Sequence, residues 1–176
     1  MSSPPNATRR AFLSGDLLTR AGRQAARRLE QPWGPRPPWL AAIVRGGACV
    51  DCDQPCREAC KPALIHFHPE EHAQAGTPYL RFDDTGCNFC GDCVNACPET
   101  VRVPAGKPRL GLARVDQGRC LPWRQVICIN CKGRCPEDAI VWDERSRPAV
   151  SVDRCNGCGA CVGACPPGAL SVEAIL

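Results

Sequence analysis

Cysteine spacing near the end of this chain of 176 residues constrains its fold more than any other feature. Cys155 to Cys165 follow the pattern C-x2-C-x2-C-x3-C, and Pro166 comes directly after the last cysteine. In bacterial ferredoxins this run holds a cubane [4Fe–4S] cluster, whereas a lone C-x2-C is shared by zinc ribbons and redox dithiols. Three glycines within the run suit a backbone that coils closely around a small cube. The complete run therefore predicts an iron–sulfur site rather than zinc or disulfides.

Three earlier groups repeat this pattern, so that all sixteen cysteines fall into four runs of four. The second run, Cys87–Cys97, matches the last one in full, including its proline. The first run, Cys49–Cys60, is spaced C-x2-C-x3-C-x3-C, and the third separates Cys120 by seven residues from Cys128–Cys135. Sixteen cysteines are what four four-ligand clusters require. We therefore expect up to four [4Fe–4S] clusters, held by Cys49, Cys52, Cys56, Cys60, Cys87, Cys90, Cys93, Cys97, Cys120, Cys128, Cys131, Cys135, Cys155, Cys158, Cys161 and Cys165.

The sequence between runs suggests which runs belong together. Residues 63–67 and 78–82 form a credible hairpin between the first two runs, and residues 139–142 and 148–152 form one between the last two. We therefore predict an α+β fold of two ferredoxin-like units, with short hairpins and short helices packed around the clusters and a basic N-terminal arm.

In two-cluster ferredoxins the last cysteine of each run ligates the other cluster. The predicted ligand sets are therefore Cys49, Cys52, Cys56 and Cys97; Cys87, Cys90, Cys93 and Cys60; Cys120, Cys128, Cys131 and Cys165; and Cys155, Cys158, Cys161 and Cys135. The alternative is that each run closes on its own cluster.

The predicted domains are residues 1–45, 46–112 and 113–176. Residues 1–45 combine a basic helix between Asp16 and Glu30 with a Pro/Trp-rich linker that suits neither a helix nor a central strand. The helix is either a solvated basic arm or a partner-binding element. The linker tryptophans, Trp33 and Trp39, either pack on the cluster units or contact a partner.

Composition and charge exclude several classes of function. Aromatic residues are only 5%, with 18 prolines and 16 glycines, so clusters must replace a conventional core, and we expect the iron-free chain to be largely unfolded. The formal charge is +4, but each oxidised cluster with four thiolates adds −2, which brings the loaded protein to about −4. Residues 1–45 alone are basic, with eight arginines against two acids, and we expect no nucleic-acid partner.

Other motifs are weaker. Arg9-Arg10 resembles a twin-arginine export signal, but no continuous apolar stretch follows, and no run is long enough to span a membrane. Reduced thiols as metal ligands fit the cytosol, so we expect a cytoplasmic protein. His66, His68 and His72 either bind a metal or belong to a solvated loop, which we favour. Because no substrate-transforming site stands out, we expect that the protein is not an enzyme.

With these residues described, the chain resembles the NapF-type ferredoxin-like accessory proteins of periplasmic nitrate reductase systems. Residues 8–15, Thr-Arg-Arg-Ala-Phe-Leu-Ser-Gly, resemble that family's S-R-R-x-x-L-x-G start, with threonine for serine. Arg36-Pro37-Pro38-Trp39 before the first run, the x2/x3/x3 spacing of that run and the isolated Cys120 also match. The likeness covers nearly the whole chain.

The resemblance implies a cytoplasmic protein that contacts NapA, the catalytic molybdenum subunit, before export and assists its maturation by cluster assembly or electron supply. An electron donor protein would be a second partner. Residues that could contact a partner are Arg9, Arg10, Trp33, Arg36 and Trp39. The alternative function is a general polyferredoxin that passes single electrons between redox enzymes.

Overall fold

Short strands and single-turn helices build the fold, since the cysteine runs and their glycines and prolines leave little room for longer elements. The computed structural model describes residues 33–40, 48–49, 51–99 and 105–175. The elements in chain order are α1 (Pro55–Ala59), β1 (Ile65–Phe67), β2 (Pro78–Leu80), α2 (Asp92–Asn95), β3 (Gly111–Val115), β4 (Ile140–Trp142), β5 (Pro148–Val150), α3 (Ala160–Gly163) and β6 (Leu170–Ala174), with 3₁₀ turns at Pro122–Arg124 and Lys132–Arg134.

Both hairpins predicted from the sequence are present. Strand β1 pairs antiparallel with β2, with Ile65 opposite Leu80. Strand β4 pairs antiparallel with β5, with Ile140 opposite Val150. Each hairpin connects the two cysteine runs of one unit. The chain therefore contains two small modules of short helices and strands, one built from runs one and two and the other from runs three and four.

A third sheet was not predicted. Strand β3 pairs antiparallel with β6, from Gly111 opposite Ala174 to Val115 opposite Leu170. The pairing ties the start of the second unit to the strand after its last cysteine. Because β3 begins at Gly111, it crosses the predicted boundary between residues 112 and 113.

Cysteines and aliphatic side chains share two small cores. The first contains Leu64, Leu80 and Val94 together with buried cysteines, and the second contains Ala139 and Leu170 with further cysteines. The partly buried side chain of Val162 packs against both cores. Val162 therefore provides an apolar contact between the two units.

The segment before the first run packs against the first hairpin. The Leu80 N–H of β2 donates a hydrogen bond to the Pro35 carbonyl at 2.7 Å. Pro35 and Pro37 are fully buried, and a side chain at Gly34 would collide with the Leu80 carbonyl oxygen. This part of the predicted linker therefore belongs to the packed structure of the first unit. The predicted helix between residues 16 and 30 lies outside the described residues.

The prediction of a solvated histidine loop is wrong for two of its three histidines. His68 and His72 are each only 3% exposed, and their rings stack with centroids 4.0 Å apart. Trp33 covers both of them, with ring centroids 5.8 Å from His68 and 5.5 Å from His72. Tyr79 of β2 also packs against His68, with ring centroids 4.5 Å apart. The two histidines are therefore buried by a strand residue and by an upstream tryptophan, which the local sequence does not reveal. His66 lies on β1 and is partly buried.

Candidate iron–sulfur centres

The thiols of the first unit converge in two groups, each of which takes three cysteines from one run and one from the other. Burial and the neighbouring thiols of Cys97, Cys49 and Cys52 raise the pKa of Cys56 to about 11. The last cysteine of the second run thus lies among those of the first run.

The second group of this unit is built in the same crossed manner. Burial and the neighbouring thiols of Cys87, Cys60, Cys56 and Cys90 raise the pKa of Cys93 to about 12. Cys60 comes from the first run and lies among the cysteines of the second. The influence of Cys56 shows that the two groups are close neighbours.

The second unit repeats this exchange. Burial raises the pKa of Cys131 to about 11, with contributions from the neighbouring thiols of Cys120, Cys165 and Cys128. Cys165, the last cysteine of the fourth run, therefore lies among those of the third.

The fourth group combines three cysteines of the fourth run with Cys135, the last cysteine of the third run. Burial and the thiols of Cys158, Cys135 and Cys155 raise the pKa of Cys161 to about 12. In each unit, therefore, the final cysteine of one run lies beside the other run, as expected for cross-ligated clusters.

Backbone amides point at the sulfur atoms. The Ala169 N–H donates to Cys165 Sγ at 3.2 Å, and the Ala139 N–H donates to Cys135 Sγ at the same distance. Cys155 Sγ accepts a hydrogen bond from the Ala113 N–H at 3.4 Å. Cys87 Sγ accepts one from the Phe89 N–H at the same distance. Such bonds favour the thiolate over the thiol and tune the reduction potential of a bound cluster. The donor set therefore fits an iron–sulfur centre.

Left-handed residues shape the loops just before the third cysteine of three runs. Gly91 and Gly159 have φ of 85° and 80° and precede α2 and α3, which carry Cys93 and Cys161. In the first run Gln54 takes this role with φ 59°, and a proline then begins α1. The helix therefore begins at the same distance from the third cysteine in all three runs, and the extra residue of the x3 spacing, Asp53, lies in the loop before the helix.

The seven-residue gap of the third run forms an exposed loop. A 3₁₀ turn at Pro122–Arg124 is followed by Val126 and Ile127, and Ile127 is 96% exposed. These residues and Cys128 line an open hollow beside the third group of thiols. The unusual spacing therefore gives this cysteine group a more exposed apolar surrounding than the others.

Each iron of a [4Fe–4S] cube takes a single cysteine, so the ligands surround the cube instead of meeting at one ion. Within the described part of the chain, no three Cys, His, Asp or Glu side chains are arranged to share a single metal ion. The buried histidines are accordingly not gathered into such a group.

The linker residues proposed to contact a partner have different surroundings. Trp39 donates its indole N–H to the Gly106 carbonyl at 3.1 Å and packs edge-on against Phe89. Trp33 remains 48% exposed although it covers the histidine loop, and Arg36 is exposed. Arg9 and Arg10 lie outside the described residues. Among the helices of the described ranges, none is long and apolar enough to cross a membrane.

Comparison with known proteins identifies two iron–sulfur domains. Residues 48–101 match a 4Fe-4S dicluster domain, and residues 148–171 match a 4Fe-4S binding domain. Together with the sixteen cysteines, these matches show that the chain binds [4Fe–4S] clusters.

Curated relatives extend the likeness beyond these domains. The ferredoxin-type protein NapF of Haemophilus influenzae is 31% identical over 96% of this chain and 94% of its own length. NapF of Escherichia coli (strain K12) is 28% identical over 89% and 92%. The methylamine utilization ferredoxin-type protein MauM of Methylorubrum extorquens is 30% identical over 88% and 76%.

Proposed function

Because this chain belongs to the NapF family of ferredoxin-type proteins, we propose that it assists the maturation of NapA, the catalytic molybdenum subunit of periplasmic nitrate reductase, in the cytoplasm before export. This proposal rests mainly on how much of the chain is similar to NapF. A match over 96% of the chain reaches far beyond the two domain matches and includes most of residues 1–45. An electron carrier needs the clusters alone, whereas a factor that recognises a client also needs a surface for it.

The four crossed cysteine groups are the proposed cluster sites. Bound [4Fe–4S] clusters supply one-electron chemistry. The cysteines anchor them, and the amides of Ala139 and Ala169 stabilise anionic sulfur by hydrogen bonding. The aliphatic cores around the thiols limit the access of water, which also influences the potential. Donation of a cluster or of electrons to the client would both start from these sites.

The proposed client surface consists of Arg9 and Arg10 in the basic arm together with the linker. Arg9 and Arg10 provide positive charge, while Trp33 and Arg36 offer exposed surface next to the first unit. Trp39 contributes by holding the linker on that unit through its bond to Gly106. The loaded cluster units are acidic by charge count, so a basic arm of this kind is chemically distinct from the rest of the protein.

A general electron carrier remains the second candidate. The names of the relatives support it, because NapF and the methylamine utilization protein MauM belong to different systems although both are ferredoxin-type. Such a carrier would use the same cluster sites, and its basic arm would contribute nothing to partner choice.

Binding of purified NapA tests the proposal directly. Cluster-free NapA is titrated with the loaded protein, and we compare Arg9→Ala/Arg10→Ala with the matched pair Arg27→Ala/Arg28→Ala from the same arm. We expect the first double variant to bind about tenfold more weakly, since two charged contacts contribute about 1–2 kcal/mol together, and the second to bind like the unchanged protein.

A second measurement separates the two forms of assistance. If the clusters are donated, iron moves from the loaded protein to cluster-free NapA during incubation. If electrons are supplied, NapA that already holds its cluster is reduced while the iron stays in place. Absence of binding to either form of NapA, with electron delivery to unrelated oxidoreductases, would reject the maturation role in favour of the carrier.

A further inference from the structure

One backbone hydrogen bond joins the two units directly at their cysteine runs. The Cys87 N–H donates to the Cys158 carbonyl at 2.7 Å. Both residues are proposed ligands, Cys87 in the group completed by Cys60 and Cys158 in the group completed by Cys135. The Cys158 thiol is also among the charges that raise the pKa of Cys87, after burial and the nearer thiols. These two cysteine groups therefore adjoin each other across the contact between units.

Close packing surrounds this hydrogen bond. Phe82, which is buried, lies directly over Gly159, and a Cβ at that glycine would overlap its ring. A Cβ at Gly86 would overlap the backbone of Ala160, and one at Gly163 would lie 2.5 Å from the Asp84 carbonyl carbon. Residues 82–87 of the first unit thus rest on residues 157–163 of the second, with no space for added side chains.

Val162 adds an apolar contact on the same side. It packs against the cores of both units and lies between the last two cysteines of its own run. The contact therefore consists of a backbone hydrogen bond, backbone surfaces and the side chains of Phe82 and Val162, and it connects cysteine loops rather than peripheral loops.

We propose that the Cys87–Cys158 contact is the site of electron transfer between the two units, which makes the four cysteine groups one continuous electron conduit. The order is the Cys49 group, the Cys87 group, the Cys158 group and the Cys120 group. Transfer moves one electron from a reduced [4Fe–4S]1+ centre, which is oxidised, to an oxidised [4Fe–4S]2+ centre, which is reduced. No proton or further reactant takes part.

Two features favour this route. Electron transfer through protein declines steeply with distance, and a short hydrogen bond between two ligand residues is the most direct connection that the structure offers between units. The remaining groups adjoin within their own unit, since Cys56 and Cys93 share the first core and Cys131 and Cys165 pack against the core that contains Cys155 and Cys161. The inference rests on the proposed ligand sets, which iron counts on cysteine variants test separately.

Gly163 provides a selective way to disturb the contact. It lies two residues after the third cysteine of its run, as do Glu58, Asn95 and Gly133 in the other three runs. Because Glu58 and Asn95 hold this position in the first unit, the cysteine loop itself tolerates a side chain there. Gly163 belongs to α3 and has no left-handed φ, so that a substitution is resisted by Asp84 rather than by the backbone conformation.

Gly133 is the matched control. It has the same place in the third run, and no heavy atom of the described residues lies within 4 Å of a Cβ built on it. We compare the loaded full-length Gly163→Asn and Gly133→Asn proteins by iron content, by magnetic resonance of the reduced centres and by hydrogen exchange of the Cys87 amide.

The expected result is that both variants keep their iron, but that Gly163→Asn alone loses the magnetic interaction between units and the protection of the Cys87 amide. After photoreduction of the loaded protein, electrons should redistribute among the centres at least tenfold more slowly in Gly163→Asn than in Gly133→Asn. If Gly163→Asn keeps the interaction and the rate of Gly133→Asn, the proposed conduit is refuted.

A second comparison holds even if Gly163→Asn does not load. In Cys128→Ala the third group is incomplete, so any magnetic interaction of the Cys158 group must come from the first unit. We expect that interaction to persist in Cys128→Ala and to disappear in Cys128→Ala/Cys60→Ala, which also lacks the Cys87 group. If the Cys158 group of Cys128→Ala already showed no magnetic interaction with another centre, the proposal would be overturned.

Discussion

Replacing Cys165 tests the crossed arrangement of the ligands most directly. In the structure this thiol lies beside Cys120, Cys128 and Cys131, although it ends the run that begins at Cys155. Four filled sites hold about 16 iron atoms per chain. We expect Cys165→Ala to lose one cluster and to retain about 12, with the loss confined to the group of the third run.

Double variants reveal which group has lost its cluster. Cys165→Ala/Cys128→Ala removes two ligands from one proposed group, so the iron content should stay at about 12. Cys165→Ala/Cys158→Ala removes one ligand from each of two groups and should leave about 8. Iron and sulfide analysis of anaerobically purified protein measures these values, and optical absorbance of the clusters should fall in proportion.

The reverse pattern would refute crossed ligation. If each run closed on its own cluster, Cys165 and Cys158 would serve the same site, and their double variant would keep about 12 iron atoms. Cys165→Ala/Cys128→Ala would then fall to about 8. Cys135 allows the reciprocal experiment, because its replacement should affect the group of Cys158 and leave that of Cys128 intact.

The remaining predictions concern the core and the buried histidine. Val94→Ala should cost about 2 kcal/mol, because the side chain is 0% exposed and loses two carbons worth about 0.8 kcal/mol each, plus a cavity term. A chelator should remove the clusters about 30-fold faster from Val94→Ala than from the unchanged protein. The control Val152→Ala, whose side chain is 51% exposed, should leave the release rate nearly unchanged, and equal rates in the two variants would contradict a role of Val94 in the core. His68 should make the fold less stable in mild acid, because burial lowers its pKa from 6.5. Its Nε2 accepts a hydrogen bond from the backbone N–H of Trp33 at 3.3 Å and loses that bond on protonation. Stability should be intact above pH 6.5 and decline below it, and His68→Gln should reduce the slope in denaturant titrations at several pH values; an unchanged slope would exclude His68 as the cause.

Local patterns predicted the features that depend on nearby residues. The hairpins β1–β2 and β4–β5 each lie between two runs and consist of short apolar stretches close in sequence, so alternation and turn residues suffice to recognise them. The grouping of Cys131 with Cys165 was likewise predicted, because the hairpin between runs three and four paired them and the last cysteine of a run ligates the other cluster in two-cluster ferredoxins.

Features that depend on distant residues were not visible in the sequence. Strands β3 and β6 are short and separated by the whole second unit, and nothing local indicates that Val115 lies opposite Leu170. The polar sequence around His68 suggests solvent, whereas its burial depends on ring contacts with Trp33, His72 and Tyr79.

The contact between units is hidden for a different reason. Besides the side chains of Phe82 and Val162, it is made by backbone atoms and by glycines whose place in the pattern is not special. Gly133 and Gly163 hold equivalent positions in their runs, yet only Gly163 lies against the other unit. Sequence spacing therefore identifies cysteine groups but not the order in which they adjoin.

Crossed cysteine groups also impose an order on biosynthesis. Cys97 is made 41 residues after Cys56, and Cys165 is made 34 residues after Cys131. At about 5–20 residues per second, the first three thiols of the Cys49 and Cys120 groups wait roughly 2–8 s for the fourth. The Cys87 and Cys158 groups take one thiol from the preceding run and are complete once Cys93 and Cys161 have been added, and the first unit is ready for loading well before the second. The nascent chain therefore carries unpaired thiols for seconds and needs reducing surroundings until residue 165 has been added.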